Sequence, residues 1–174
     1  MVIYMKAIET ALSLTQAYKQ GIERFEKMLG NEFAKAVETM NNSYTHIIVC
    51  GMGKSGLVGR KISSTLASTG TPSIFLHPAE AIHGDLGKVQ KKSVVLLISY
   101  SGETGEIIAL IPALKRLDVN IIALTGVKNS TLANKSDIVL DTSVDREACP
   151  LNLAPTTSTT VSYTHLTLPT TVIV

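Results

Sequence analysis

Short apolar runs that alternate with longer amphipathic stretches dominate the middle of this chain. The runs are rich in Ile, Val and Leu, which is typical of buried strands, and they lie at His46–Cys50, Ser73–Leu76, Ser93–Ser99, Asn120–Leu124 and Ile138–Leu140. Between them, helical spacing predicts helices over residues 55–68, 104–117 and 131–135. Strands separated by helices in this way indicate right-handed βαβ crossovers, so the pattern predicts an α/β fold with a parallel sheet.

The two ends of the chain follow other patterns. Apolar residues recur near a 3.6-residue period from Ile8 to Leu29, and Gly30 marks the predicted end of that helix; Phe33–Met40 has the spacing of a second one. Residues 156–174 contain eight threonines and predict no regular element. We therefore expect three segments: N-terminal helices over 1–42 that pack on the domain, a core over 43–160, and an atypical tail over 161–174.

Composition and charge narrow the class of protein. The chain has 174 residues, 45% of them hydrophobic, which is enough for one domain with a real core. A net charge of +2 without a basic stripe argues against nucleic acid as a partner. Cys50 and Cys149 form neither a disulfide framework nor a CxxC zinc motif. Because no apolar stretch is long enough for a membrane and no signal peptide is recognisable, we expect a cytoplasmic protein.

A glycine-rich loop, Gly51–Gly56, follows the first predicted strand and matches GxGxxG. A dinucleotide site also needs an acid at the end of the second strand, which is missing here, and a Walker A loop needs a glycine where this chain has Ile48. The remaining functional interpretation of this loop is a tight turn that brings backbone N–H groups and Lys54 near a small anion. The simpler explanation is a βα turn with a solvent-exposed lysine.

Hydroxyl side chains follow the third predicted strand, where a helix begins. Ser99, Ser101 and Thr104 lie together there, and hydroxyls with exposed amides at a helix N-terminus form a phosphate site. Ordinary N-capping by Ser101 or Thr104 explains one such hydroxyl well and all three less well. We therefore favour phosphate binding.

Two further clusters carry ionisable side chains. His77–Asp85 contains two histidines and two acids whose spacing matches no standard zinc pattern; histidine is also a natural proton carrier, and a surface loop is an equally good explanation. The stretch Asp145–Thr160 holds Glu147 and a run of threonines. These threonines either offer hydroxyls to a ligand or belong to a solvated loop and a capped helix start.

Taken together, the clusters resemble the sugar isomerase (SIS) domain of bacterial arabinose 5-phosphate isomerases. The resemblance covers about residues 45–160, and its most specific parts are HPAEAIHGDLG at 77–87 and EACPLNLAPTTSTT at 147–160. It implies a five-stranded parallel sheet flanked by helices, a flavodoxin-like three-layer sandwich, in a homotetramer. It also implies interconversion of D-ribulose 5-phosphate and D-arabinose 5-phosphate through an enediol, toward Kdo for lipopolysaccharide or capsule, with no required cofactor.

The resemblance also implies roles for single residues. Lys54, His83, Glu106 and Glu147 match positions implicated in catalysis, and His77 matches a position that can hold zinc. Which of the two glutamates is the base stays open. With the loop residues above, the predicted substrate contacts are Gly53, Ser55, Gly70, Thr71, Ser99, Ser101, Thr104, Thr156 and Thr157.

The chain departs from the family after residue 160. The resemblance implies a further helix and another functional histidine there, but residues 161–174 match neither, and His165 is not that histidine. We therefore expect a truncated chain with weak or no activity. The alternative from a different class is a non-catalytic SIS module that senses a sugar phosphate. The set of Lys54, His83 and two glutamates favours the enzyme, because a sensor needs no proton-transfer groups.

Overall fold

A computed structural model describes residues 2–167 of the chain, and its centre is one parallel sheet. The order of the strands across the sheet is β2-β1-β3-β4-β5, and every neighbouring pair is parallel. The strands are β1 (Ile47–Gly51), β2 (Ser73–Leu76), β3 (Val94–Ile98), β4 (Asn120–Thr125) and β5 (Ile138–Asp141). Each of them falls on a run that the sequence predicted, so the α/β class and the five-stranded parallel sheet are confirmed.

Helices connect the strands and cover both faces of the sheet. They are α1 (Val2–Met28), α2 (Asn31–Asn41), α3 (Gly53–Ser68), α4 (Pro78–Ile82), α5 (Gly105–Arg116), α6 (Thr131–Lys135) and α7 (Thr157–Thr167). A 3-10 turn follows α4 at Asp85–Lys88. In residues 2–167, none of the helices is both long and apolar enough to cross a bilayer.

The core consists of two apolar layers, because successive side chains of a strand point to opposite faces. On one face, Ile48 and Leu97 of the strands pack in a cluster with α5, whose buried residues there include Leu110 and Ile111. On the other face, the strand residues pack with α2, α3 and α7. The result is the three-layer sandwich that the resemblance implied.

Helix α7 lies where the sequence predicted no element. Its buried positions recur every three or four residues, which is helical spacing, and they are Thr157, Ser158, Val161, Ser162, His165 and Leu166. Ser and Thr are poor helix formers, so here packing outweighs propensity. The helix crosses the boundary predicted at residue 160, and residues 168–174 of the predicted tail lie outside the described part.

Candidate active site

The order of the strands creates a crevice between β1 and β3. The chain leaves β1 into α3, which packs on one face of the sheet, and leaves β3 into α5, which packs on the other. The two loops therefore diverge at the carboxyl ends of neighbouring strands. In open parallel sheets this is where ligands bind. The glycine-rich loop and the hydroxyl-rich loop of the sequence flank this crevice.

The hydroxyls after β3 are arranged around the start of α5. Ser99 is buried and its Oγ lies 2.8 Å from Thr104 Oγ1, while Ser101 Oγ accepts a hydrogen bond of 3.2 Å from the N–H of Glu103. Thr104 is the N-cap residue of α5, yet its side chain makes no capping bond. Because ordinary capping is not observed, the first amides of α5 keep their capacity to bind an anion.

The side chain of Glu103 precedes α5 in the chain but forms a hydrogen bond with α6. Its Oε1 accepts a hydrogen bond of 2.6 Å from the N–H of Thr131, at the start of α6. That bond lowers the pKa of the exposed Glu103 carboxyl below its ordinary value. Glu103 therefore ties the β3–α5 loop to α6, a contact across 28 residues that sequence spacing does not reveal.

The loop after β1 also leads into an open helix N-terminus. Gly53 starts α3 with φ of 56°, and the N-cap residue Met52 makes no side-chain capping bond. A Cβ on Gly56 would come within 2.7 Å of Gly51 O, so glycine allows β1 and α3 to approach closely. Lys54 is exposed on the first turn and Ser55 is half-buried beside it.

Glu147 accepts hydrogen bonds at the N-terminus of α7. Its Oε2 accepts from Thr156 N at 2.8 Å, Thr156 Oγ1 at 3.0 Å and Ser158 N at 3.2 Å. Partial burial pushes the pKa of Glu147 upward, but the hydrogen bonds from Ser158 and Thr156 outweigh burial and hold the pKa below its ordinary value. The carboxylate is therefore ionised at neutral pH.

A cavity of about 180 Å³ connects Glu147 with the crevice. Ser55 of α3 and Glu147 line it, which brings these two predicted residues together. Its other polar walls are Tyr100, Asn152, Ser158, Thr159 and Ser162. Thr159 belongs to the threonine run for which ligand binding was one interpretation, and the other four were not predicted as site residues. Ser158 and Ser162 are four residues apart and so lie on the same face of a helix. This spacing was the signal in the sequence from which these two could have been predicted. Among the larger grooves, two of about 520 and 550 Å³ lie beside α1 and the end of β5, away from these groups.

The remaining predicted catalytic residues do not line this cavity. His83 is exposed at the end of α4, and Glu106 is half-buried in the first turn of α5. Lys54 is close to the cavity in sequence but is absent from its walls. Within one copy of residues 2–167, Glu147 is therefore the one of the four predicted catalytic residues that lines this cavity.

Three predicted substrate contacts are placed away from the cavity. Gly70 and Thr71 precede β2, so they lie at the amino edge of the sheet, opposite the crevice. Thr157 is buried, and its methyl group packs against Gly21 of α1. A role in binding substrate stays a prediction for all three positions.

His77 has no set of metal ligands in the part of the chain that the structure describes. It follows β2 directly and is half-buried. No group of three or more His, Cys, Asp and Glu side chains within residues 2–167 is placed to hold a metal ion. Zinc usually takes three or four protein ligands, so these residues by themselves do not fit a zinc site.

Known proteins share this fold and much of the sequence. The sequence model of the SIS domain matches residues 40–170. The arabinose 5-phosphate isomerase KdsD of Pseudomonas aeruginosa is 51% identical over 144 residues, which cover 83% of this chain and 44% of that protein. KpsF of Escherichia coli O6:H1, also named an arabinose 5-phosphate isomerase, is 52% identical over 142 residues, covering 81% and 43%.

A solved structure is similar over almost its whole length. It is a protein of E. coli CFT073 in complex with arabinose 5-phosphate, with a TM-score of 0.92 and 37% identity, and the match covers 97% of this chain and 90% of that one. The curated relatives are longer, and this chain spans less than half of those two proteins.

Proposed function

This chain belongs to the SIS domain family, and from that premise we propose that it is the isomerase domain of an arabinose 5-phosphate isomerase. The reaction would interconvert D-ribulose 5-phosphate and D-arabinose 5-phosphate. Two relatives named arabinose 5-phosphate isomerases are 51% and 52% identical to the chain over 144 and 142 residues, which supports the proposal. The matched stretches cover less than half of those proteins. For this chain, the activity that the relatives' names give to the whole proteins is therefore a proposal.

One observation of the structure carries the proposal: an open helix N-terminus surrounded by hydroxyls lies beside a cavity that holds an ionised carboxylate. The amides of α5 with Ser99, Ser101 and Thr104 would bind the phosphate group. Glu147 at the cavity wall would face the sugar. Phosphate binding at one end and a base at the other is the arrangement that a sugar-phosphate isomerase needs.

The chemistry assigns a role to each group. Moving the carbonyl between C1 and C2 requires a proton to leave one carbon and return to its neighbour through a cis-enediol. Glu147 would take and return that proton, and its lowered pKa keeps it in the basic form at neutral pH. Lys54 at the start of α3 would stabilise the negative oxygen of the enediolate. Glu106 is the second candidate for the base.

Some of the predicted residues would reach the site only from a second copy of the chain. His83 is exposed, and Gly70 and Thr71 lie at the far edge of the sheet, so another subunit would have to bring such groups to the site. A homo-oligomer, which the resemblance implies to be a tetramer in the intact family member, is therefore part of the proposal. No step is routed through zinc, because the described residues offer no ligand set for it.

Proton exchange tests the assignment directly. Ribulose 5-phosphate is mixed with the protein in deuterated water, and arabinose 5-phosphate and deuterium at the carbon beside the carbonyl are followed by NMR. We expect slow turnover by this chain and a loss of about 100-fold or more for Glu147→Gln if it is the base. Glu38→Gln, an exposed acid on α2, is the matched control and should retain the wild-type rate.

Two outcomes would contradict the proposal. Wild-type exchange by both Glu147→Gln and Glu106→Gln would show that neither carboxylate is the base. Tight binding of the sugar phosphate without any exchange, in this chain and in a version with the length of its relatives, would instead support the sensing module.

A further inference from the structure

The segment that follows Glu147 folds back on that residue. The N–H of Glu147 donates to Asn152 Oδ1 at 2.7 Å, and the N–H of Ala148 donates to Thr156 Oγ1 at 2.8 Å. Asn152 takes φ of 53°, a conformation that asparagine tolerates better than most residues. The turn is therefore closed at two points around the carboxylate, before α7 begins.

Thr156 contacts Glu147 through both its backbone and its side chain. Its N–H and its hydroxyl both lie within 3.0 Å of Oε2, and its Oγ1 at the same time accepts from Ala148. The hydroxyl has one proton, and its two possible acceptors are Glu147 Oε2 at 3.0 Å and Ala154 O at 3.3 Å. A charged acceptor at the shorter distance is the stronger partner. The hydroxyl of Thr156 therefore donates its one proton to a group of the chain itself and not to a ligand.

Several hydrogen bonds to the carboxylate end on the same oxygen. The bonds from Thr156 N, Thr156 Oγ1 and Ser158 N all end on Oε2, and the side chain of Ser158 also forms a hydrogen bond with the carboxylate. Holding one oxygen in three bonds sets the direction of the other, which is what a base in a fixed geometry requires.

We propose that Thr156 is a positioning residue that orients the Glu147 carboxylate, and that it does not itself contact the substrate. This inference rests on the proposed function of Glu147 as the base, and it replaces the substrate contact predicted from the sequence. Among the residues that line the cavity, Glu147 is the charged one and Tyr100 the other ionisable one. Asp145 and Arg146 flank Glu147 in the sequence, and Asp145 pairs with Arg24 of α1 at 2.9 Å.

Three variants separate this role from its alternatives. Thr156→Val removes the hydroxyl and keeps the shape, whereas Thr156→Ser keeps the hydroxyl. Thr160→Val is the matched control, because the Thr160 hydroxyl in the first turn of α7 donates to Thr156 O at 3.2 Å and makes no hydrogen bond to Glu147. Circular dichroism shows whether Thr156→Val is folded. If it is not, Thr156→Ala replaces it in the measurements.

The first measurement does not depend on activity. The carboxyl carbon of Glu147 is titrated by ¹³C NMR, with its signal assigned by its absence in Glu147→Gln. We expect the pKa of Glu147 to rise toward its ordinary value in Thr156→Val and to stay at the wild-type value in Thr156→Ser and Thr160→Val. An unchanged pKa in Thr156→Val overturns the inference even if the protein catalyses no exchange.

The second measurement uses the exchange reaction. We expect kcat to fall roughly tenfold in Thr156→Val with little change in KM, the size of effect expected from one hydrogen bond to a charged group. The loss should vanish when Thr156→Val is placed in the Glu147→Gln background. A raised KM with an unchanged kcat would mean that Thr156 contacts the substrate, and would overturn the inference. Absence of turnover in every variant, and also in a version with the length of its relatives, with the pKa shift present, would contradict the proposed function alone.

Discussion

At Gly102 the backbone of the β3–α5 loop turns with φ of 67°, in the left-handed region that favours glycine. A Cβ at this position would overlap Ser130 Oγ and Cβ and would lie 3.0 Å from Thr125 Oγ1. Ser130 is itself engaged, since its Oγ caps α6 by accepting from Ala133 N at 3.3 Å. Glycine at 102 thus lets the candidate phosphate loop lie against the loop after β4.

We expect Gly102→Ala to destabilise the protein and to impair phosphate binding. Left-handed backbone costs a non-glycine residue about 1–2 kcal/mol, and the overlap with Ser130 adds about 1–3 kcal/mol. Urea unfolding gives the stability, and titration with inorganic phosphate gives the binding. Gly105→Ala is the matched control, because a Cβ at 105 meets nothing within 4 Å. Equal stability of the two variants would show that the loop relaxes freely.

Among the elements, α1 supports both ends of the segment that carries Glu147. Arg24 donates to Asp145 Oδ1 at 2.9 Å and to Ser143 Oγ at 3.0 Å, before Glu147 in the chain. Beyond Glu147, α1 packs against the start of α7 at Gly21. Because the SIS match begins at residue 40, α1 lies outside it. The helix is nevertheless part of the structure that holds the candidate site in place.

The contact at Gly21 gives a test of this packing. A Cβ there would overlap the methyl group of Thr157, which is buried and β-branched and so has little freedom to move. We expect Gly21→Ala to cost about 1–3 kcal/mol through overpacking, which outweighs the helix propensity gain of about 1 kcal/mol. Gln20→Ala, exposed on the same helix, should be neutral or stabilising in urea unfolding. A more stable Gly21→Ala variant would contradict the close packing of α1 on α7.

On the scale of the whole molecule, His165 lies where three helices meet. Its ring centroid is 4.1 Å from that of Phe25 on α1 and 6.5 Å from that of Phe33 on α2, and the residue is 3% exposed. Burial lowers the pKa of His165 to about 4, against the opposing effects of a hydrogen bond with Val161 O and the charge of Asp141. The folded protein therefore holds this histidine neutral.

Stability should accordingly depend on pH through His165. Its pKa is lower in the folded chain than the value of 6.5 in the unfolded chain, so the unfolded state binds the proton first. The contribution of His165 to the free energy of unfolding is complete above about pH 6.5. It is lost as the pH falls toward 4, and the loss reaches about 3 kcal/mol. Urea midpoints from pH 7 to 5 should decrease in the wild type and decrease less in His165→Leu. Parallel decreases in both proteins would assign the pH dependence to other groups.

Prediction from the sequence succeeded where the signal is local. The apolar runs placed all five strands, and the glycine and hydroxyl loops after β1 and β3 lie at the edge of the sheet where they were expected. The sequence missed α7, because its core-facing positions are largely Ser and Thr, which carry little hydrophobic signal. It also missed α4, which is only five residues long.

The sequence by itself therefore determined the class of fold, the strands and the loops that flank the crevice, since periodicity and glycine positions act within a few residues. Only the tertiary structure decided which side chains meet. Glu103 reaches Thr131, Arg24 reaches Asp145, and Glu147 is held by Thr156. Hydrogen bonds between residues distant in the chain depend on how the helices pack on the sheet, and that packing is a property of the whole chain, which no short motif encodes.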